Sequence, residues 1–229
     1  MTSHEEIYND QPMSYEDMIS RQPDLTGIIK ELKPFNGIDV LDLGAGSGRL
    51  SEFIAPEAKS LACTDISGSM LELLDEKLKG KGTAQNWTTL VADHRELPIA
   101  DSSIDLVISG WSISYLANSS NKDGSKNLEE IMNEINRVLR PNGSIIILET
   151  LGTGTETPNP PAFLKEYYAL LEHEYGFSHR WIRMDYTFAD ISEAKANTEF
   201  FFGNELVDKI EENQWSTVPE CAGIWWKHL

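Results

Sequence analysis

Three glycines in five positions follow an aspartate in Asp42-Leu43-Gly44-Ala45-Gly46-Ser47-Gly48. Glycine lets a backbone turn sharply and approach a ligand with no Cβ in the way. Amides at such a turn, or at the start of a helix after it, suit a polar or anionic group. Asp65 lies 17 residues beyond Gly48, closing the apolar run Leu61-Ala62-Cys63-Thr64. A carboxylate there can accept hydrogen bonds from both hydroxyls of a ribose. Helix capping is the other task open to Asp65. Ser67 and Ser69 can also cap, and Ser69-Met70-Leu71-Glu72 fits a capping box. The chemistry these residues suit is recognition of a nucleoside.

Such residues need strand ends to carry them. Ile38 to Leu43 reads as a strand after the turn signal Pro34-Phe35-Asn36-Gly37, and a helix from about Arg49 to Ala55 follows, ended by Pro56. Ser60 to Asp65 is a second strand, and Leu71, Leu74 and Leu78 mark a helix that ends at Gly80. Thr88 to Asp93 is a third strand, and Leu106 to Ser109 a fourth that runs on into Gly110-Trp111-Ser112. After a polar loop over 117–125, Leu128, Ile131, Met132, Ile135, Val138 and Leu139 form one face of a helix over about 125–140. Pro141-Asn142-Gly143 stops it, and Ser144 to Glu149 is apolar enough for a strand buried on both faces. Strands alternating with helices imply an α/β fold around a mainly parallel sheet.

The chain has 229 residues, enough for one α/β domain with a sizeable core. Its formal net charge of −18 opposes a phosphate backbone, so nucleic acid is not the expected partner. The two cysteines, Cys63 and Cys221, give no disulfide framework, and Cys63 is expected in the core. No stretch approaches the roughly 20 apolar residues of a membrane span, and no basic leader precedes an apolar run, so a cytoplasmic protein is expected. No cluster with metal-ligand spacing is present in the sequence, and no G-x-S-x-G or P-loop pattern.

The D-x-G-x-G-x-G spacing resembles the first motif of class I S-adenosylmethionine-dependent methyltransferases, the small-molecule type similar to the ubiquinone and menaquinone biosynthesis enzymes. The passage Leu97-Pro98-Ile99-Ala100-Asp101-Ser102-Ser103-Ile104-Asp105 and the run Arg137-Val138-Leu139-Arg140-Pro141-Asn142-Gly143 extend the resemblance over residues 36–150. It implies a Rossmann-like sheet of seven strands in the order 3-2-1-4-5-7-6, the last antiparallel, with helices on both faces and a helical insertion before the last strand. It implies one domain over 1–229, with an N-terminal helical lid over 1–33, a cofactor-binding core over 36–150 and substrate-side elements over 151–229. The implied cofactor is S-adenosylmethionine. The residues implied to bind it are Asp42, Gly44, Ala45 and Gly46 at the turn, and Asp65 with Ile66. Met70 would lie on the adenine, Asp93 would accept from its amino group, and the His94 amide would meet the ring. Ser109, Gly110 and Trp111 would stand beside the methionine part. Of the N-terminal tyrosines Tyr8 and Tyr15, Tyr15 is the candidate for an aromatic hydroxyl closing over the cofactor.

Beyond Glu149 the pattern is less specific. Thr150 to Pro161 is a loop, and Asn159-Pro160-Pro161 differs from the base-modifying motif both in its position and in the Ala162 that follows. Helices are expected over 162–175 and over 190–212 with a break near Gly203, a strand over 177–188, and a final strand over 217–229. Asp24 is a candidate cap for a helical piece through Leu32. Phe200, Phe201 and Phe202 suit either a lid or a core. The expected activity is methyl transfer to an O, N or C atom of a small molecule. His94, His173, His179, Glu149 and Tyr186 are possible bases, and the residues alone do not choose among them. A nicotinamide-dependent oxidoreductase is an alternative, although its fingerprint has the third glycine three positions after the second. A non-catalytic S-adenosylmethionine-binding protein is another.

Overall fold

A computed structural model describes residues 11–82 and 85–229. Tyr8 falls outside the described residues. The chain resolves into two compact units, the larger of Leu25–Glu149, Pro161–Arg180 and Ile224–Leu229, the smaller of residues 1–24, Thr150–Pro160 and Trp181–Gly223.

The larger unit is built around β1 (Asp39–Leu43), in which all five residues are buried. It pairs in parallel with β2 (Ser60–Asp65) on one side and β4 (Ile104–Gly110) on the other. Further parallel pairs join β2 to β3 (Trp87–Val91) and β4 to β5 (Leu139–Thr153). With β6 (Ser178–Arg183) and β9 (Glu220–His228) the seven-stranded order is β3-β2-β1-β4-β5-β9-β6. Chain order therefore reverses at β1, between β2 and β4. In such sheets the crevice beyond the carboxyl end of the reversal strand is where ligands bind. The Gly44–Gly48 turn stands at that end.

Helices follow from local signals. α4 (Gly68–Gly80) is capped by Ser67, whose Oγ accepts the Met70 N–H at 3.4 Å, so capping does not fall to Asp65. α6 (Gly124–Val138) buries Leu128, Ile131, Met132, Ile135 and Val138. At its end Arg137 donates to the Leu97 and Ile99 carbonyls at 2.9 and 2.7 Å and to Glu134, which pins the loop leading from Asp93 into β4. At the amino end of β1, Asp39 accepts from Ser60, Lys59 and Arg140, and these partners hold its carboxyl down at about 2.

Four local expectations are corrected. α3 spans only Ser51–Ile54, not the turn from Arg49, because Gly48 sits at φ +96°. In α2 (Thr26–Leu32) the residue at the cap position is Leu25 rather than Asp24. The strand read over 177–188 is two pieces, β6 and β7 (Tyr186–Thr187). β5 also runs past Glu149 to Thr153, since nothing breaks it before Gly152 at φ +122°.

The smaller unit holds α1 (Pro12–Ile19), the antiparallel pair of β7 with β8 (Thr217–Val218), and two helices, α8 (Ile191–Phe202) and α9 (Asn204–Asn213), parted at Gly203. Asp190 accepts the Glu193 N–H at 2.8 Å while Glu193 accepts the Ala189 N–H, a reciprocal N-terminal cap. Met18, Ile19, Tyr186, Phe188, Leu206, Ile210 and Val218 form its core, with Tyr15 and Phe200–Phe202 packed against it.

Candidate functional site

Asp42 ends up beneath the turn. It is 1% exposed, and its Oδ2 accepts from the Ser51 hydroxyl at 2.6 Å while Oδ1 has no hydrogen-bond partner. Burial pushes its carboxyl up to about 7, and the charge of Asp65 adds to this. Asp42 therefore props the turn from inside. The three glycines all have positive φ, +77°, +53° and +96°. A Cβ on Gly44 would stand 1.8 Å from Ser112 Oγ and 3.2 Å from His94 Cε1. One on Gly46 would meet only Met70 Cε, at 3.8 Å. Gly44 is thus glycine for the protein's own packing, whereas Gly46 faces open space.

Asp65 closes the turn from the β2 side. Its two oxygens accept the Gly46 N–H at 2.9 Å and the Ser67 N–H at 2.8 Å. Each carboxylate oxygen has a further lone pair for a ligand donor. Next to it Ile66 is 70% exposed, an apolar side chain standing out at a strand end, while Met70 is buried behind the turn. The amides expected to face an anion are engaged elsewhere. Those of Gly44 and Ala45 go to the Thr64 carbonyl and that of Gly48 goes to Ala45.

Asp93 binds Arg95 through its backbone N–H and guanidinium, at 2.6–2.9 Å, and this holds its carboxyl down at about 2. It is ionised and remains an acceptor. The His94 ring turns inward. Its Nε2 bonds Ser112 Oγ at 2.8 Å, Nδ1 lacks a hydrogen-bond partner, and burial lowers its pKa, leaving a neutral imidazole at neutral pH. Ser109 does not present its hydroxyl to the crevice. The buried Oγ donates to the Leu43 carbonyl at 2.8 Å, tying β4 to β1. A Cβ on Gly110 would lie 2.9 Å from Leu50 Cδ1, so the tip of that side chain would have to shift to admit one. Trp111 adopts φ +54° with its N–H on the Leu148 carbonyl at 2.7 Å, and the Arg49 guanidinium stacks on its ring at 3.4 Å. Tyr15 lies in the smaller unit with its ring 5.5 Å from that of Phe201.

Sequence reasoning missed Ser112 and Arg49. The signal for Arg49 was its place directly after the last glycine. For Ser112 no signal exists, because its partners Gly44 and His94 meet only in three dimensions. Among the possible bases, Glu149 is 1% exposed within β5, its Oε1 accepting the Ser114 N–H at 3.1 Å and the Tyr167 hydroxyl at 3.3 Å. Burial pushes its carboxyl up to about 7. His179 stacks on Trp225 at 4.4 Å, His173 lies in the last turn of α7 (Lys165–His173), and Tyr186 is a core residue of the smaller unit. Among the described residues no group of three or more His, Cys, Asp or Glu side chains could hold a metal ion, and no helix is long and apolar enough to cross a membrane.

Residues 41–147 match a family model described as a methyltransferase domain. A sterol 4-C-methyltransferase of Caenorhabditis elegans is 27% identical over 146 residues, 64% of this chain and 40% of that protein. A demethylmenaquinone methyltransferase of Lactobacillus johnsonii is 30% identical over 124 residues, 53% of this chain and 47% of that protein. The matches thus cover under half the length of either relative. A solved SAM-dependent methyltransferase from Aquifex aeolicus has a TM-score of 0.63 at 16% identity, over 95% of this chain and 97% of that one. At that identity the likeness concerns the fold.

Proposed function

We propose that the protein moves a methyl group from S-adenosylmethionine to a small-molecule acceptor, as the match of residues 41–147 to a methyltransferase-domain model supports. The observation that carries this reading is the Asp65 carboxylate, fixed by the Gly46 and Ser67 amides beside the open face of Gly46. The residues present fit an adenosyl ligand. Asp65 would hold the ribose, the exposed Ile66 would lie against the base, and Asp93 would accept from its amino group, while Met70, buried behind the turn, would support Gly46 rather than touch the base. Gly46 gives the ligand backbone to lie against. A nicotinamide cofactor is disfavoured by the glycine spacing.

When bound, S-adenosylmethionine supplies a methyl group on a positively charged sulfur, ready for in-line displacement. The chain's own work is positioning, which contributes much of the rate when reactants are held in line. Trp111 walls the β4 end beside Gly110. Glu149 lies in neighbouring β5, joined to that end of β4 by the Trp111 N–H on Leu148. With a pKa of about 7, its carboxylate is suited to take the proton that an O–H or N–H acceptor gives up. Tyr167 and the Ser114 amide hold Oε1 in place. Burial keeps the Tyr167 hydroxyl protonated, so it serves as a donor.

Incubation with labelled S-adenosylmethionine and a panel of phenols, amines, sterols and quinols tests the reading. Label transfer to one class, with stoichiometric S-adenosylhomocysteine, is expected. Tight cofactor binding without transfer to any class would instead favour a binding protein on this fold.

A further inference from the structure

Glu172 serves two groups with one oxygen. Its Oε1 accepts the Trp225 indole N–H at 3.1 Å and lies 3.6 Å from His179 Nδ1, too far for a hydrogen bond. The three residues come from three elements. Glu172 is in the last turn of α7, Trp225 is in β9, and His179 is in β6 at the edge of the sheet. All three belong to the larger unit. The Trp225 ring is fully buried, and two other rings stack on it. Tyr168 of α7 has its centroid 4.5 Å away and His179 has its centroid 4.4 Å away, at interplanar angles of 26° and 15°. α7 therefore holds Trp225 twice, through the Tyr168 ring and through the Glu172 carboxylate.

His179 is the member that can change its charge. A neutral imidazole leaves Glu172 to the indole. An imidazolium makes Nδ1 a charged donor beside that carboxylate, and a charge-assisted hydrogen bond is stronger than one from a neutral indole. The indole face also attracts the cation stacked on it. Burial outweighs the Glu172 charge, so the His179 pKa lies below its ordinary value of 6.5, and the charged form belongs to acid pH. Among the described residues packed around it, Glu172 is the charged group that acts on His179. Lys227 of β9 donates to the Tyr175 carbonyl at 2.8 Å, and Arg180 of β6 donates to Glu31 at 2.9 Å.

We propose that Glu172 is a pH-operated latch on α7. With His179 neutral it holds the Trp225 N–H, and protonation of His179 draws it onto Nδ1 and away from the indole. The helix seated in this way also carries Tyr167, the hydroxyl donor to Glu149. The latch is made of the protein's own contacts and does not depend on a cofactor.

Nitrogen–proton correlation NMR between about pH 5 and pH 8 tests it. Trp225→Phe assigns the indole N–H and His179→Gln assigns the imidazole. In wild type the Trp225 indole signal should shift with the midpoint at which His179 titrates, below the ordinary histidine value. In His179→Gln the signal should stay still. Glu172→Gln should remove most of the shift, since the stack remains but the carboxylate that changes partner is gone. It should also lower the His179 midpoint, because the cation loses its counter-charge. The His179 and Glu172 side chains are 27% and 35% exposed, so both glutamine variants should keep the fold. An indole signal that stays still while His179 titrates would overturn the latch. So would a full-sized shift in Glu172→Gln, because the indole would then be sensing the stacked ring directly.

Discussion

At the residue scale, Gly44 and Gly46 do different work in one turn. Alanine at 44 would drive its Cβ into Ser112 at φ +77°, so Gly44→Ala should fail to fold or lose several kcal/mol in urea denaturation. Gly44→Ala with Ser112→Gly should recover part of that loss, since the clashing side chain is gone. Alanine at 46 meets only Met70 Cε at 3.8 Å. Gly46→Ala should therefore cost about 1 kcal/mol in stability for its left-handed backbone, yet weaken S-adenosylhomocysteine sharply by filling the ligand's space. Equal effects of the two alanines on stability would contradict this division. Glu149→Gln should lower kcat by about 10²–10⁴-fold on an O–H or N–H acceptor and remove the limb of the pH profile near 7. The positions of Asp65 and the glycines were legible in sequence because strand-end spacing governs them. The roles of Ser112 and of the His94 ring were not, because they arise where the segments after β4 and β3 meet at Gly44. That the Ser109 hydroxyl bonds across the sheet to the Leu43 carbonyl was not legible either, because a small polar residue at a strand end can bond that way as readily as into a crevice.

At the element scale, the parallel order of β3, β2, β1, β4 and β5 was legible from apolar runs separated by amphipathic helices. The boundaries that moved did so for local reasons. Gly48 delays α3 to Ser51, and the absence of a breaker before Gly152 lengthens β5. The smaller unit was legible only as elements. The contact of Phe200–Phe202 with Tyr15 and the β7–β8 pair depends on long-range packing that periodicity does not encode. Arg137 ties α6 to the loop that follows Asp93 through two backbone carbonyls and Glu134. Arg137→Ala should destabilise the protein by about 1–3 kcal/mol in urea denaturation, since it leaves those partners without their donor. A change below about 0.5 kcal/mol would mean the loop is held by its own turn.

At the scale of the whole molecule, two buried carboxyls shape stability against pH. Burial raises the carboxyls of Asp42 and Glu149 to about 7 in the fold, above their ordinary values of 3.8 and 4.5. A raised folded pKa means the native state binds more protons than the unfolded chain between those values. Stability from this source is full below about pH 4, declines as pH rises through 7, and is flat beyond. Glu149→Gln removes one of the two groups. Relative to wild type it should gain up to about 3 kcal/mol between pH 4.5 and pH 8, read as a melting temperature that falls less steeply over that range. The same shift in both proteins would show that Glu149 ionises in the fold as it does in the unfolded chain.

The central claim is a nucleoside site at the carboxyl ends of β1 and β2, and calorimetric titration with S-adenosylhomocysteine, with NAD in parallel, tests it most directly. Wild type should bind the adenosyl ligand with micromolar affinity and give no heat with NAD. Asp65→Asn should weaken binding at least about tenfold, because a carboxylate that accepts from the ribose becomes an amide with one acceptor. Binding of NAD alone, or equal affinity in wild type and Asp65→Asn, would contradict it.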